Sequence, residues 1–209
     1  MVQYKYKIFV ERGTSVAPTM IRNADKTRKM VYLAILTAIV FVLQFLSLFM
    51  RFTFFSLTFV LVPIVIGCAV CDKFSGAWLG FVFGLAVFAT GDAAFFLSLD
   101  VFGTIVTVIL KGVLAGLFAG FAYSLFEKIN RYVAVVASAF VAPITNTGIF
   151  VLGCYTFFYD EIAVFAGSSN IFPYIIATYV GVNFLIELGV NIILTPAIFR
   201  IINVKKKKA

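Results

Sequence analysis

Long apolar stretches are the feature of this sequence that most limits what it can fold into. Six stretches of about 20 residues each follow one another between residues 31 and 200. Each is long enough to cross the hydrocarbon core of a membrane. With 63% hydrophobic and 12% charged residues, the chain is also far from the composition of a soluble domain. The sequence therefore predicts an all-α membrane protein built as a bundle of six transmembrane helices.

The polar breaks between these stretches give the expected boundaries. Spans are predicted at about 31–50, 54–71, 76–97, 101–125, 132–158 and 172–200. Residues 1–30 are expected to form a basic cytoplasmic tail, 31–203 the membrane domain and 204–209 a second basic cytoplasmic tail. This division leaves no room for a soluble catalytic or ATPase domain.

Basic residues lie almost entirely on one side of the predicted spans. Of the seventeen lysines and arginines, fifteen lie in the two tails, at the end of the last span and in the loops after the second and fourth spans. The opposite loops carry Arg51 and several acidic residues. Because basic flanks stay in the cytoplasm, both termini are predicted to be cytoplasmic in a multi-pass protein of the cell membrane. The net charge of +8 then reflects contact with the lipid bilayer, and no nucleic-acid partner is expected.

Small residues recur every four positions in three of the predicted spans. They are Gly76, Gly80 and Gly84 in the third span, Gly112, Gly116 and Gly120 in the fourth, and Ala34 and Ala38 in the first. Such rows let helix backbones approach closely in lipid. We predict that the glycine rows pack inside the bundle.

A few polar residues interrupt the apolar spans. Glu187 is predicted roughly 20 Å below the outer face, where a charge costs about 2.5 to 3.5 kcal/mol. Lys111 reaches a comparable depth with the opposite sign. One interpretation is a buried Glu187–Lys111 ion pair that holds two helices together. The other is a hydrated binding pocket that these two residues line or support together with Asn146, Asn183 and Asn191.

Arg51 is the one basic residue of the predicted outer loops, and it also has two interpretations. It is either an interfacial residue whose guanidinium reaches the headgroups or a group at the mouth of a pocket that captures a carboxylate.

Several motifs, taken in order, resemble the substrate-binding S components of energy-coupling factor (ECF) transporters. They include "AILTA" in the first span, "LVPIVIGCAVCDKFSGAWLGFVFGL" across the second and third, and "LKGVLAGLFAGFAY" in the fourth. "APITNTGIFVLG" and "NFLIELGVNIILTP" follow in the last two spans. The resemblance covers residues 30–200.

This resemblance implies a subunit that captures a water-soluble vitamin near the extracellular face. It implies partners as well, namely a transmembrane T component and two ATPase subunits. Ala34 and Ala38 match the alanine pair with which the family docks on the T component. "PITNTGIF" and the N-x-x-x-E-x-x-x-N of the last span resemble the pantothenate branch. The protein would then be a binding subunit and not an enzyme, with no cofactor and no metal.

Two other functions are considered. One is a self-sufficient small secondary carrier or channel in which Glu187 titrates. The other is a membrane-embedded enzyme with a metal held by Asp92 and Asp100, two carboxylates of an outer loop. The absence of histidine removes the commonest general base and weakens the enzyme interpretation.

Overall fold

The described part of the chain, residues 17–52, 55–56, 59–167 and 170–207 of a computed structural model, is almost entirely helical. The helices are α1 (Ala17–Ser47), α2 (Leu61–Val70), α3 (Lys73–Ala89), α4 (Ala94–Leu99), α5 (Val101–Phe126), α6 (Arg131–Phe157), α7 (Tyr159–Ala166), α8 (Phe172–Ile175) and α9 (Gly181–Lys207). A 3-10 turn at Leu48–Met50 leads into two short antiparallel strands, β1 (Arg51–Phe52) and β2 (Phe55–Ser56). A π-helical turn at Ile176–Val180 joins α8 to α9.

Four of the described helices are long and apolar enough to cross a membrane. The qualifying segments are Lys26–Ser47, Val101–Phe126, Arg131–Phe157 and Asn183–Ile202. Leu61–Val70 and Lys73–Ala89 are shorter apolar helices. At about 1.5 Å per residue α2 rises only about 15 Å, half the thickness of a hydrocarbon core. The four long apolar helices confirm the prediction of an all-α membrane protein.

Polar residues just before the spans start three of the helices. Asp72 accepts hydrogen bonds from the backbone N–H groups of residues 74 and 75 at the start of α3. Asp100 does the same for residues 102 and 103 of α5, and Asn130 accepts from residue 132 of α6. These caps satisfy N–H groups that have no partner within the helix, so each helix starts where the sequence provides an acceptor.

The two glycine rows form the closest helix contact described. A Cβ atom built at Gly80 would fall on the carbonyl oxygen of Gly112, and one built at Gly116 would fall on that of Gly76. The rows therefore pair α3 with α5 in antiparallel order, backbone against backbone. The prediction that these glycines pack inside the bundle is confirmed.

The second and third predicted spans have the wrong bounds. α2 begins at Leu61 and not near residue 54, because the chain first makes the short β1–β2 hairpin. The third span was expected to continue to residue 97, but α3 ends at Ala89. Gly91 follows with φ of 70°, a left-handed conformation that glycine adopts without steric cost, and the chain then turns into α4.

The predicted tails are described only in part. The helix of the first span begins at Ala17, so residues 17–30 of the expected N-terminal tail are helical. Residues 1–16 and 208–209 of the two tails lie outside the described residues.

Candidate functional site

A cavity of about 220 Å³ lies between the helices, near the end of the bundle opposite the basic tails. Its described lining residues are Gln44, Phe83, Val87, Asp92, Ala93, Phe96, Thr104, Thr107, Val108, Lys111, Asn146, Thr147, Phe150, Phe158, Tyr179, Val180, Asn183, Phe184 and Glu187. They come from α1, α3, α4, α5, α6, the π-helical turn, α9 and the segments between helices. Four of the five predicted binding residues, distant in sequence, thus share one cavity: Lys111, Asn146, Asn183 and Glu187.

Lys111 and Glu187 place opposite charges in this wall. Glu187 is only 9% exposed, and Lys111 is half-buried. Glu187 and Asp92 line the same cavity as Lys111, so two carboxylates share it with the ammonium group. The Lys111 ammonium also lies 5.3 Å from the ring centre of Phe150 and 6.0 Å from that of Phe83. Lys111 is therefore stabilised by aromatic faces as well as by carboxylates.

Asn146 and Asn183 bring carboxamides to the same cavity. Asn146 is 7% exposed and lies one turn after Pro143, the proline within α6. The side-chain oxygens of both asparagines are buried and have no hydrogen-bond partner among the described residues. Leaving a buried acceptor unpaired costs about 1 to 3 kcal/mol. A ligand donor in the cavity would remove that cost.

The polar row of the last helix divides into two parts. Asn183 and Glu187 line the cavity, whereas the side-chain amide of Asn191 donates to the backbone oxygen of Glu187 at 2.8 Å. Thr195 continues the pattern by donating to the oxygen of Asn191 at 2.9 Å. Asn191 thus bonds to its own helix. It can serve as an internal control for Asn183, which lines the cavity.

Sequence reasoning did not identify Gln44 as a site residue. Gln44 is fully buried near the end of α1, and its side-chain amide donates to the carboxylate of Asp92 and, at 3.3 Å, to the hydroxyl of Thr90. Its own side-chain oxygen is buried without a described partner. A glutamine in an apolar span was the signal that could have revealed it. Asp92 was considered only as a metal ligand with Asp100, which instead caps α5.

Aromatic rings form the remaining wall of the cavity. The ring of Phe96 lies 5.3 Å from that of Phe150, 5.2 Å from Phe158 and 5.6 Å from Tyr179, all with edge contacts. Tyr179 belongs to the π-helical turn, a rare element that often occurs at functional sites. Carboxylates, carboxamides, an ammonium and aromatic rings are thus concentrated in a small space suited to a polar organic ligand.

Comparison with known families identifies the scaffold. Residues 28–199 match the family described as the ECF transporter, substrate-specific component.

The chain belongs to this family.

No curated protein and no solved structure matches the sequence significantly. As an ECF transporter substrate-specific component, the protein is a membrane-embedded, multi-pass transporter subunit and not an enzyme. Members of the family bind a small substrate and work with T and ATPase components. The resemblance to ECF transporter S components is thus confirmed at the level of the family.

The alanine pair of this substrate-specific component lies on the surface of α1. Ala34 and Ala38 are both exposed, one turn apart, and the neighbouring apolar residues Ile35 and Val42 are exposed as well. Leu36 and Val40 point to the opposite side and belong to the core. The pair is therefore not part of the internal packing.

The fifth predicted binding residue, Arg51, is described only by its backbone. It lies in β1 and pairs with Ser56, a few residues after the cavity-lining Gln44. The backbone of β2 lies next to α9, which carries Glu187. The side chain of Arg51 lies outside the described part of the chain.

Proposed function

We propose that this substrate-specific component captures a small water-soluble vitamin and delivers it to an ATP-driven ECF importer. One observation carries the proposal: a cavity lined by charges and carboxamides lies within a bundle of apolar helices. A buried polar set of this kind is costly unless it is used. Its volume of about 220 Å³ corresponds to about seven water volumes at roughly 30 Å³ each, enough for a small vitamin.

The proposal includes an orientation for the protein. We place both termini in the cytoplasm and the cavity towards the outside, with six spans in which α2 and α3 are the second and third. The split of basic charge in the sequence supports this arrangement. The substrate would enter from the side that carries Asp92 and the β1–β2 hairpin. In this arrangement Arg51 lies at the mouth of the cavity.

Pantothenate is the specific vitamin that the sequence motifs suggest. It combines hydroxyls and an amide, which Asn146 and Asn183 could bind, with a carboxylate, for which Lys111 and Arg51 are the available cations. Titration of the purified protein with pantothenate tests this assignment directly.

The main test of the proposed function is whether the protein docks on a T component. We expect the protein to co-purify with a T component and two ATPase subunits. Ala34→Leu or Ala38→Leu should reduce both this co-purification and transport while leaving substrate binding by the isolated subunit nearly unchanged. The reason is that leucine adds bulk on the exposed face of α1 where two helices must approach closely.

The matched control is Ala197→Leu, an equal change at an exposed alanine of α9. It should leave the complex intact. Uptake driven by an ion gradient with the chain alone, and no ATPase partner, would contradict the proposal and favour a secondary carrier in which Glu187 titrates.

Ligand contacts are tested at the two cavity asparagines. Asn146→Ala and Asn183→Ala should each weaken substrate binding by about 1 to 3 kcal/mol, roughly 5- to 150-fold, because each removes a polar contact with the ligand. Thermal stability should change little, since their oxygens have no described partner to lose. The measurement is titration with the molecule that co-purifies with the wild-type protein.

Asn191→Ala is the control within the same helix. It should lower stability through loss of the bond to the Glu187 backbone and leave affinity close to wild type. Equal affinity in all three variants would show that the cavity asparagines do not contact the substrate.

A further inference from the structure

Lys73, the first residue of α3, differs in its surroundings from two basic residues at the same end of the bundle. Lys73 is half-buried, whereas Lys128 and Arg131 are exposed. Its ammonium lies 4.9 Å from the ring centre of Phe121 and 5.2 Å from that of Phe74. We propose that Lys73 and these two rings bind the headgroup of an anionic phospholipid. The proposal is independent of the vitamin-capture function, because it requires only that the protein is embedded in a membrane.

The close contact between α3 and α5 fixes the position of Lys73. A Cβ atom built at Gly120 would fall on the backbone oxygen of Lys73, so the first residue of α3 meets α5 backbone against backbone. The rings of Phe74 and Phe121 pack edge to face across the same contact, with their centres 6.4 Å apart. The ammonium group is thus held over both rings before an anion arrives, and binding costs little additional ordering of the side chain.

The ammonium of Lys73 forms no ion pair with a carboxylate among the described residues. The carboxylate of Asp72 accepts hydrogen bonds from the backbone N–H groups of residues 74 and 75 and from the hydroxyl of Ser75. Asp72 therefore caps its own helix. A half-buried ammonium without a protein anion can pair with a lipid phosphate through a charge-assisted hydrogen bond.

The surface around Lys73 is apolar and faces away from the bundle. Phe74 is 60% exposed and Phe121 42%, and Trp78 and Phe118, about one turn further along α3 and α5, are exposed as well. In a membrane-embedded protein, rings on such a surface contact the lipid. The surface thus offers a cation for a headgroup and aromatic rings for the acyl chains below it.

Lys73 also lies near the level at which a membrane segment begins. The thiol of Cys71, two residues earlier, is 3.8 Å from the backbone oxygen of Lys29, near the start of the apolar segment Lys26–Ser47. A basic residue at this level attracts anionic lipids. Zwitterionic lipids also carry a phosphate, but their own cation offsets its charge, so the site should prefer a lipid with a net negative charge.

The single tryptophan of the chain, Trp78, provides a local test. It lies one turn after Phe74 on the exposed face of α3, so brominated acyl chains of a lipid bound at Lys73 should quench its fluorescence. The protein is placed in phosphatidylcholine vesicles that contain a small fraction of dibrominated phosphatidylglycerol or, for comparison, of dibrominated phosphatidylcholine. We expect stronger quenching by the anionic lipid. Equal quenching by the two lipids would overturn the proposal.

Variants of two lysines assign the preference to the site. Lys73→Gln should reduce the preference for phosphatidylglycerol about fivefold, whereas Lys73→Arg should retain it because the charge remains. Lys128→Gln, the same change at an exposed lysine, should leave the preference unchanged at physiological ionic strength, because salt screens exposed charges. Equal losses in Lys73→Gln and Lys128→Gln would mean that the lipid responds to the overall charge of the protein, and this result would overturn the site.

A T component is the alternative occupant of this face. In that case Lys73→Gln would reduce co-purification of the T component and leave the lipid preference unchanged, which would overturn the lipid site. Loss of the lipid preference in Lys73→Gln supports the site whether or not a T component co-purifies. Failure of the proposed importer function is therefore distinguishable from failure of the lipid site.

Discussion

Replacing Gly80 with alanine should strongly lower the stability of the protein. The added carbon would meet the carbonyl group of Gly112, so α3 and α5 must separate along their whole contact. Ordinary overpacking costs about 1 to 3 kcal/mol, and a collision with backbone, which cannot change rotamer, should reach or exceed the upper end. Thermal unfolding in mild detergent measures the effect.

Gly148→Ala is the matched control for this variant. Gly148 is also helical, is exposed, and has open space where a Cβ would be placed. Alanine forms helices better than glycine, so this change should be neutral or slightly stabilising. Similar melting temperatures for the two variants would show that α3 and α5 are not in close contact.

The second large effect is expected at Lys111 and Glu187. Neutralising one of them, as in Glu187→Gln or Lys111→Met, should destabilise the protein by about 3 kcal/mol, because the other charge stays in a low-dielectric wall without its counterpart. The double variant should recover much of this loss. The free energies of unfolding of the four proteins form a double-mutant cycle that isolates the interaction.

Additive losses in that cycle would contradict the idea of a coupled pair. In that case each residue would be stabilised by other groups, such as Phe150 and Asp92 around Lys111. Asn191→Ala provides a reference for the cost of losing one buried hydrogen bond in the same helix.

Local patterns predicted the helices and the internal packing of the glycine rows. The four-residue spacing of Gly76 and Gly80 is visible in a short window, and the structure places these residues against α5. The end of α3 was missed because the apolar sequence resumes at residue 93 after the short break at Thr90–Asp92, and hydropathy alone does not detect a turn made by a single left-handed glycine. Apolar composition predicts the length of an apolar stretch more reliably than it predicts the residue at which a helix ends.

The sequence analysis predicted part of the candidate site, including the grouping of several polar residues in one pocket, but it missed other lining residues. A polar group in an apolar span is costly and therefore usually has a role. This argument identified Lys111, Asn146 and Glu187 from the sequence. Gln44 and Tyr179 were missed, since their proximity to these residues depends on how distant helices pack. Asn191 shows the limit of periodicity: it shares the spacing of Asn183 and Glu187, yet it bonds to its own helix.

The backbone contact between α3 and α5 has a consequence for how this scaffold can change its specificity. Lys111 faces the cavity, while the next residue, Gly112, touches α3. Because α5 is held to α3 by backbone atoms and not by large side chains, the residue at position 111 can be exchanged without rebuilding that helix pair. Mutational tolerance should therefore differ between adjacent positions, with residue 112 nearly invariant and residue 111 able to change together with Glu187 as the ligand changes. A saturation library across α5, selected first for folding and then for binding, would show this alternation directly.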